Sequence, residues 1–333
     1  MNKGFLKTFK KIPGSTIAGI VLIIVFAIIT PGYLSGINIL NILKSAAPLL
    51  IVSVGMTMTI LLGEIDMSVG GVLTVSATFA GMYLQSLESV AIANVIIAVL
   101  ISCGVGTAFG IFNGFMIGTM RFNFWLVTFG SMSVAFGLTA GITNGNVLSG
   151  YDKLVRWISD GKFLGTRITM CIIWAVIICV IAIILVYKTR FGLHLFAIGD
   201  AEACAINSGI NVRKTRFIAY AISGLMSGIA GIILLTRTNS TSATLGEGYE
   251  FNAIAAVVVG GTAMEGGKGG YKGTIFGAIF ISAMKNGLQL VGLSNYWQQV
   301  LLGVVIVAII IYDVLNAKRI SKKNLRRVYS ENA

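Results

Sequence analysis

Runs of about twenty apolar residues follow one another along almost the entire 333-residue chain. A helix of that length crosses the ~30 Å hydrocarbon core of a bilayer. Inside lipid each backbone amide needs a partner within the protein, so a spanning segment is either a helix or a strand of a closed barrel. Barrel strands are about ten residues long and alternate in polarity, whereas these runs are continuous. The reading is an all-α, polytopic membrane protein. Composition agrees: 56% of residues are hydrophobic and 11% charged, against about 25% charged in soluble domains. This excludes a soluble enzyme, a disordered chain and a free nucleic-acid binder. The recurrence of the runs excludes a single anchor.

The first run covers Thr16 to about Tyr33, behind Lys3, Lys7, Lys10 and Lys11. It has a signal peptide's basic head, but no small-x-small cleavage site closes it, so it reads as the first span. Further spans fall at roughly 45–63, 69–86, 90–118, 124–143, 168–187, 215–236, 250–264, 272–292 and 297–315, about ten in all, some short or broken. The net charge of +13 is distributed to match. With the amino end inside, eighteen basic residues fall in inside segments and six in outside loops, and Lys285 lies within a span. That is the positive-inside pattern, with attraction to anionic lipid. Both termini are expected in the cytoplasm. Residues 1–333 read as one transmembrane domain, and 188–214 as its largest cytoplasmic loop.

Gly occurs 41 times and Pro three times. Most glycines suit close helix packing, as in Gly106-x-x-x-Gly110-x-x-x-Gly114-x-x-x-Gly118. Two Gly-rich segments differ because they carry carboxylates between apolar helices: 61–71, with Glu64 and Asp66, and 259–270, with Glu265. Their similar placement hints at an internal repeat. A carboxylate at membrane depth is a functional candidate, and Asp66 or Ser68 equally suits a helix cap. Glu265 and Lys268 suit a cytoplasmic turn. The Gly266-Gly-Lys-Gly-Gly270 stretch fails the phosphate-loop pattern, since Thr262 and Gly269 stand at its first and last positions. The four cysteines and the single histidine, His194, form no metal or catalytic spacing.

Four ordered stretches resemble the ribose-type permease subunits of bacterial ABC sugar importers. They are GMTMTILLGEIDMSVGGVLTVS (55–76), TRFGLHLFAIGDAEACAINSGINV (189–212), TLGEGYEFNAIAAVVVGGTAMEGGKGGYKGTIFGA (244–278) and NGLQLVGLSNYWQQVLLGVVI (286–306). Departures from that pattern are local: Glu64, Leu193, Asp200-Ala201, Glu265, Lys272 and the proline-free 121–125 stretch.

The resemblance implies a non-enzymatic transport subunit in the bacterial cytoplasmic (inner) membrane. It implies a second permease copy, an ABC ATPase that binds ATP and Mg, and an extracytoplasmic sugar-binding protein. No cofactor is expected in this chain, and no nucleic-acid partner. Glu202, Ala203, Cys204 and Gly209 resemble the short coupling helix that meets the ATPase. Glu202 suits a helix start and Gly209 a helix-ending left-handed position. Polar residues within spans are candidates for the translocation path or its gate: Asp66, Ser68, Asn113, Thr128, Asn286 and Gln289. The expected cargo is a monosaccharide of the ribose, galactose or xylose class. Rival readings are a related permease for branched-chain amino acids or nucleosides, and an ion-coupled transporter using Glu64 and Asp66.

Overall fold

A computed structural model describes residues 24–294 and 296–301, with 303, 304, 307 and 311. Its helices are α1 (Gly36–Leu61), α2 (Val69–Gln85), α3 (Ile92–Gly114), α4 (Phe124–Thr143), α5 (Lys153–Asp160), α6 (Met170–Lys188), α7 (Arg190–Asp200), α8 (Glu202–Asn207), α9 (Val212–Thr238), α10 (Tyr249–Val259) and α11 (Tyr271–Leu290). The polytopic all-α reading holds. Each of the eight spans expected between 45 and 292 has its helix. Most of the first span and of the last, and both termini, lie outside the described residues.

Among the described residues, five helical segments are long and apolar enough to cross a membrane: α1, α3 with its π-helical extension to Thr119, α4, α6 and α9. The eleven residues of α10 are too few to cross alone. α1 starts nine residues before the expected boundary. Asn38, Asn41 and Lys44 depress the apolar signal there, while Ser35 caps the helix by accepting the Asn38 N–H at 3.3 Å. The expected outside loop 143–167 contains a helix of its own, α5, whose start Asp152 caps by accepting the Leu154 N–H at 2.7 Å.

α1 and α9 form the centre. In each, 67% of the most apolar stretch is buried, against 22% for α3 and 28% for α4. The perimeter helices turn Ile96, Leu100, Phe129 and Ile181 outward, as a lipid-facing surface requires. α3 packs on α9 glycine to glycine. A β-carbon on Gly106 would stand 2.8 Å from the Gly228 Cα, and one on Gly110 3.0 Å from the Gly224 Cα. The same β-carbons would stand nearer still to the Gly224 and Tyr220 carbonyl oxygens, closer than real side chains come. The Gly-x-x-x-Gly run thus sets the helix separation.

Segments that the charge pattern assigns to one side do meet. On the expected outer side, β1 (Leu148–Ser149) pairs antiparallel with β2 (Ser240–Thr241), and Lys44 reaches Asp160 at 2.6 Å. At the opposite end, the α1–α2 break, the α10–α11 loop and the end of α7 converge. The Gly267 N–H donates to the Leu61 carbonyl at 3.0 Å, and a β-carbon on Gly266 would stand 3.0 Å from the Gly199 Cα.

Candidate functional site

The break between α1 and α2, residues 62–68, carries a chain of buried polar groups. Asp66 is 1% exposed. One carboxylate oxygen accepts the Ser68 N–H at 3.0 Å and the Ser68 hydroxyl at 2.5 Å, and the other accepts the Ser223 hydroxyl of α9 at 2.7 Å. Asn113 of α3 donates to Ser68 Oγ at 2.9 Å, and Ser131 of α4 donates to Asn113 Oδ1 at 2.5 Å. A buried carboxylate survives only when its lone pairs are satisfied, and here two hydroxyls and a backbone amide do so. Three of the candidates for the path, Asp66, Ser68 and Asn113, therefore lie in one network tying the break to α3, α4 and α9. Ser68 opens α2 without a side-chain cap bond; Asp66 supplies the oxygen instead. Thr128 is fully buried and donates back to the Phe124 carbonyl at 2.8 Å.

Asn286 and Gln289 lie elsewhere. They line a cavity of about 330 Å³ near the expected outer end, between α1, α9, α10 and α11. Ser45, Arg237, Asn252, Ser282 and Lys285 share the lining, and among the described residues no carboxylate does. Arg237 donates to Ser45 Oγ at 2.8 Å, and Asn286 Oδ1 accepts from Asn38 at 2.9 Å. Lys285 has no ion-pair partner among the described residues. Asn252 Oδ1 is buried and also without a hydrogen-bond partner among them. The cavity thus offers several neutral amides and hydroxyls and two cationic donors. Ser282, Lys285, Asn286 and Gln289 are spaced i, i+3, i+4, i+7, which is one face of α11. That stripe is the signal in the sequence for Lys285 and Ser282. Arg237 and Asn252 sit on other helices, and no local pattern marks them.

The third group lies at the opposite end. α8 starts at Glu202, and the chain leaves it through Gly209 at φ +79°, where the Gly209 N–H donates to the Ile206 carbonyl at 2.9 Å. Ala203, Cys204 and Ile206 are exposed while Ala205 is buried, so α8 presents a small apolar face outward. Arg216 Nη1 and Nη2 donate to the two Glu202 oxygens at 3.1 and 2.8 Å. These bonds hold the Glu202 carboxyl below the usual glutamate range. Arg216 Nε lies 2.5 Å from Glu64 Oε1 in the break. By sequence alone Arg216 is one more basic residue at the end of a span. Glu265 and Lys268 are exposed in the turn after α10, as a cytoplasmic turn requires.

A family model described as branched-chain amino acid transport system / permease component matches residues 38–310. The chain belongs to that permease family. The permease is 37% identical to the ribose import permease RbsC of Bacillus subtilis over 88% of its own length and 89% of the relative's. It is 35% identical to RbsC of Escherichia coli K12 over 93% and 95%, and 30% identical to the E. coli galactose/methyl galactoside import permease MglC over 96% and 98%. No solved structure matches it. The matched region contains both breaks, the polar cavity and the α7–α8 loop.

Proposed function

We propose that this permease is the membrane subunit of an ATP-driven importer for a monosaccharide of the ribose, galactose or xylose class. The observation that carries the reading is similarity over about nine tenths of the chain to permeases named for ribose import, at 35% and 37% identity. The cavity chemistry supports it. Sugar hydroxyls both donate and accept, and Asn252, Asn286, Gln289 and Ser282 do the same. Arg237 and Lys285 add donors for ring and hydroxyl oxygens.

In this reading the sugar arrives from an extracytoplasmic binding protein and enters the cavity weakly. α8 docks in a cleft of a separate ATPase, which binds ATP and Mg. A second copy of the permease completes the pathway in the bacterial inner membrane, with both termini in the cytoplasm. ATP binds the two states of the ATPase unequally, and that difference drives the spans between outward and inward access. The chain itself does no bond chemistry.

Two rivals fit less well. An amino-acid cargo carries an ammonium that wants an acceptor of negative charge, and no carboxylate among the described residues lines the cavity. An ion-coupled transporter needs a carboxylate free to exchange its ion, whereas Asp66 is saturated by Ser68 and Ser223, and Glu64 already has the Arg216 guanidinium as its counter-ion.

The test is uptake of labelled ribose, galactose and xylose into vesicles holding the permease, its ATPase and its binding protein, with and without ATP. ATP-dependent uptake of one of these sugars is expected. Lys285→Met and Gln289→Ala should each lower that uptake about threefold to tenfold through loss of one or two hydrogen bonds, with unchanged thermal stability. Uptake by the permease alone, insensitive to ATP and abolished by collapsing an ion gradient, contradicts the reading.

A further inference from the structure

Arg216, Tyr220 and Ser223 are spaced i, i+4, i+7 on α9 and present one face to the break at 62–68. Ser223 holds Asp66 there. About two turns away along the helix, Arg216 holds Glu64, and its other two nitrogens hold Glu202 at the first position of α8. One guanidinium therefore ties the outward-facing short helix to the break inside the bundle. The bond to Glu202 is bidentate, which fixes direction as well as distance.

The same site contains an imbalance. Glu64 Oε2, the Tyr220 hydroxyl and Arg216 Nε itself are all buried without an aligned hydrogen bond among the described residues, so Nε meets Glu64 Oε1 as an ion pair and not as a hydrogen bond. Glu64 has an acceptor to spare, and Tyr220, one turn from Arg216, has a donor to spare. A displacement of α8 that draws Arg216 toward Glu202 leaves Glu64 a second donor to turn to. The arrangement thus has two ways of satisfying the same groups, which a rigid structural bridge does not require. Asp66 stands two residues from Glu64, so a shift of the break reaches Ser68, Asn113 and Ser131 on α3 and α4.

We propose that Arg216 is the positioning residue through which movement of α8 reaches the membrane body, by way of the Glu202–Arg216–Glu64 bridge. This rests on the reading of α8 as the ATPase contact, and the test separates the two.

The complete transporter, with ATPase and binding protein, is reconstituted in vesicles, and ATP hydrolysed per sugar delivered is measured. Arg216→Lys keeps the charge but loses the fork that grips both carboxylates. Its ratio of ATP to sugar is expected to rise about tenfold, the upper range for perturbing a coupling network, while the complex still assembles. The double variant Glu64→Gln, Arg216→Gln leaves no unpaired buried charge, and it is expected to fold and to be uncoupled to a similar degree. Glu64→Asp in the wild-type background should retain partial coupling. In parallel, native Cys204 on the exposed face of α8 is loaded with a thiol-attached photoactivatable reagent and cross-linked to the ATPase by light. Cross-linking together with a wild-type ATP-to-sugar ratio in both Arg216 variants overturns the relay and leaves the α8 contact standing. Absence of any Cys204 cross-link to the ATPase overturns both, since the bridge then has no input.

Discussion

The permease interrupts its helices twice with similar-looking sequence, glycines beside a carboxylate, yet the two breaks are built differently. Residues 62–68 are held by side chains: Glu64 by Arg216, and Asp66 by Ser68 and Ser223. Residues 260–270 are held mainly by backbone, together with the Thr262 hydroxyl. The Ala263 N–H donates to the Lys268 carbonyl at 3.0 Å, the Gly270 N–H to Thr262 Oγ1 at 3.1 Å, and the Gly267 N–H to Leu61. Gly261, Gly266, Gly267, Gly269 and Gly270 all have positive φ, and Glu265 and Lys268 face outward. The charge in the first break is part of the frame, and in the second it is solubilising decoration on a glycine scaffold. A carboxylate near a glycine in a membrane sequence therefore says little until its partner is known.

The contrast can be broken by substitution. Asp66→Ala should be the most damaging change. It strands the Ser68 and Ser223 hydroxyls and removes hydrogen bonds to a charged group worth about 1.5–3 kcal/mol each, so thermal unfolding in detergent should show a loss of several kcal/mol. Gly266→Ala should come next, at about 2 kcal/mol. Its φ of +88° disfavours a side chain, and the new carbon would stand 2.7 Å from the Gly63 amide nitrogen. Smallest, Glu265→Gln and Lys268→Gln should each fall within about 0.5 kcal/mol of wild type. If Glu265→Gln rivals Asp66→Ala, the two breaks share a mechanism after all. A graded response to pH sharpens the same point. Arg216 lowers the Glu202 carboxyl, so the Glu202–Arg216 contribution is present above the ordinary glutamate range and is lost as pH falls through the lowered value. The stability lost on Glu202→Gln, measured by thermal unfolding in detergent, should hold steady from pH 7 to about 5 and shrink only in stronger acid.

Much of the fold is legible in the sequence because apolar run length is a direct physical constraint on a spanning helix. Eight helices follow from it, five of them long and apolar enough to span, and the α1 start escapes because polar residues on a buried helix mimic a loop. Gly209 is readable as a helix end from its residue type. The site is half legible. Asn286 and Gln289 stand out as polar residues within a span, whereas Lys285 reads as a side chain reaching for the interface, although the stripe on α11 holds all three. Asp66, Ser68 and Asn113 each read separately as path residues. That they satisfy one another depends on contacts 45 to 157 residues apart in sequence, which no local pattern reveals. Arg216 is hidden for the same reason: its meaning comes from Glu64 and Glu202, brought to it by two other elements, the 62–68 break and α8.

Transport as proposed requires sidedness: a polar cavity on one face of the membrane, and α8 with both breaks on the other. Right-side-out vesicles treated with a membrane-impermeant maleimide measure this directly, using native Cys204 and the Gln289→Cys variant. The introduced thiol at position 289 is expected to be labelled from outside, while Cys204 is labelled only after the vesicles are permeabilised. Labelling of Cys204 in sealed vesicles, with protection of position 289, would contradict this arrangement.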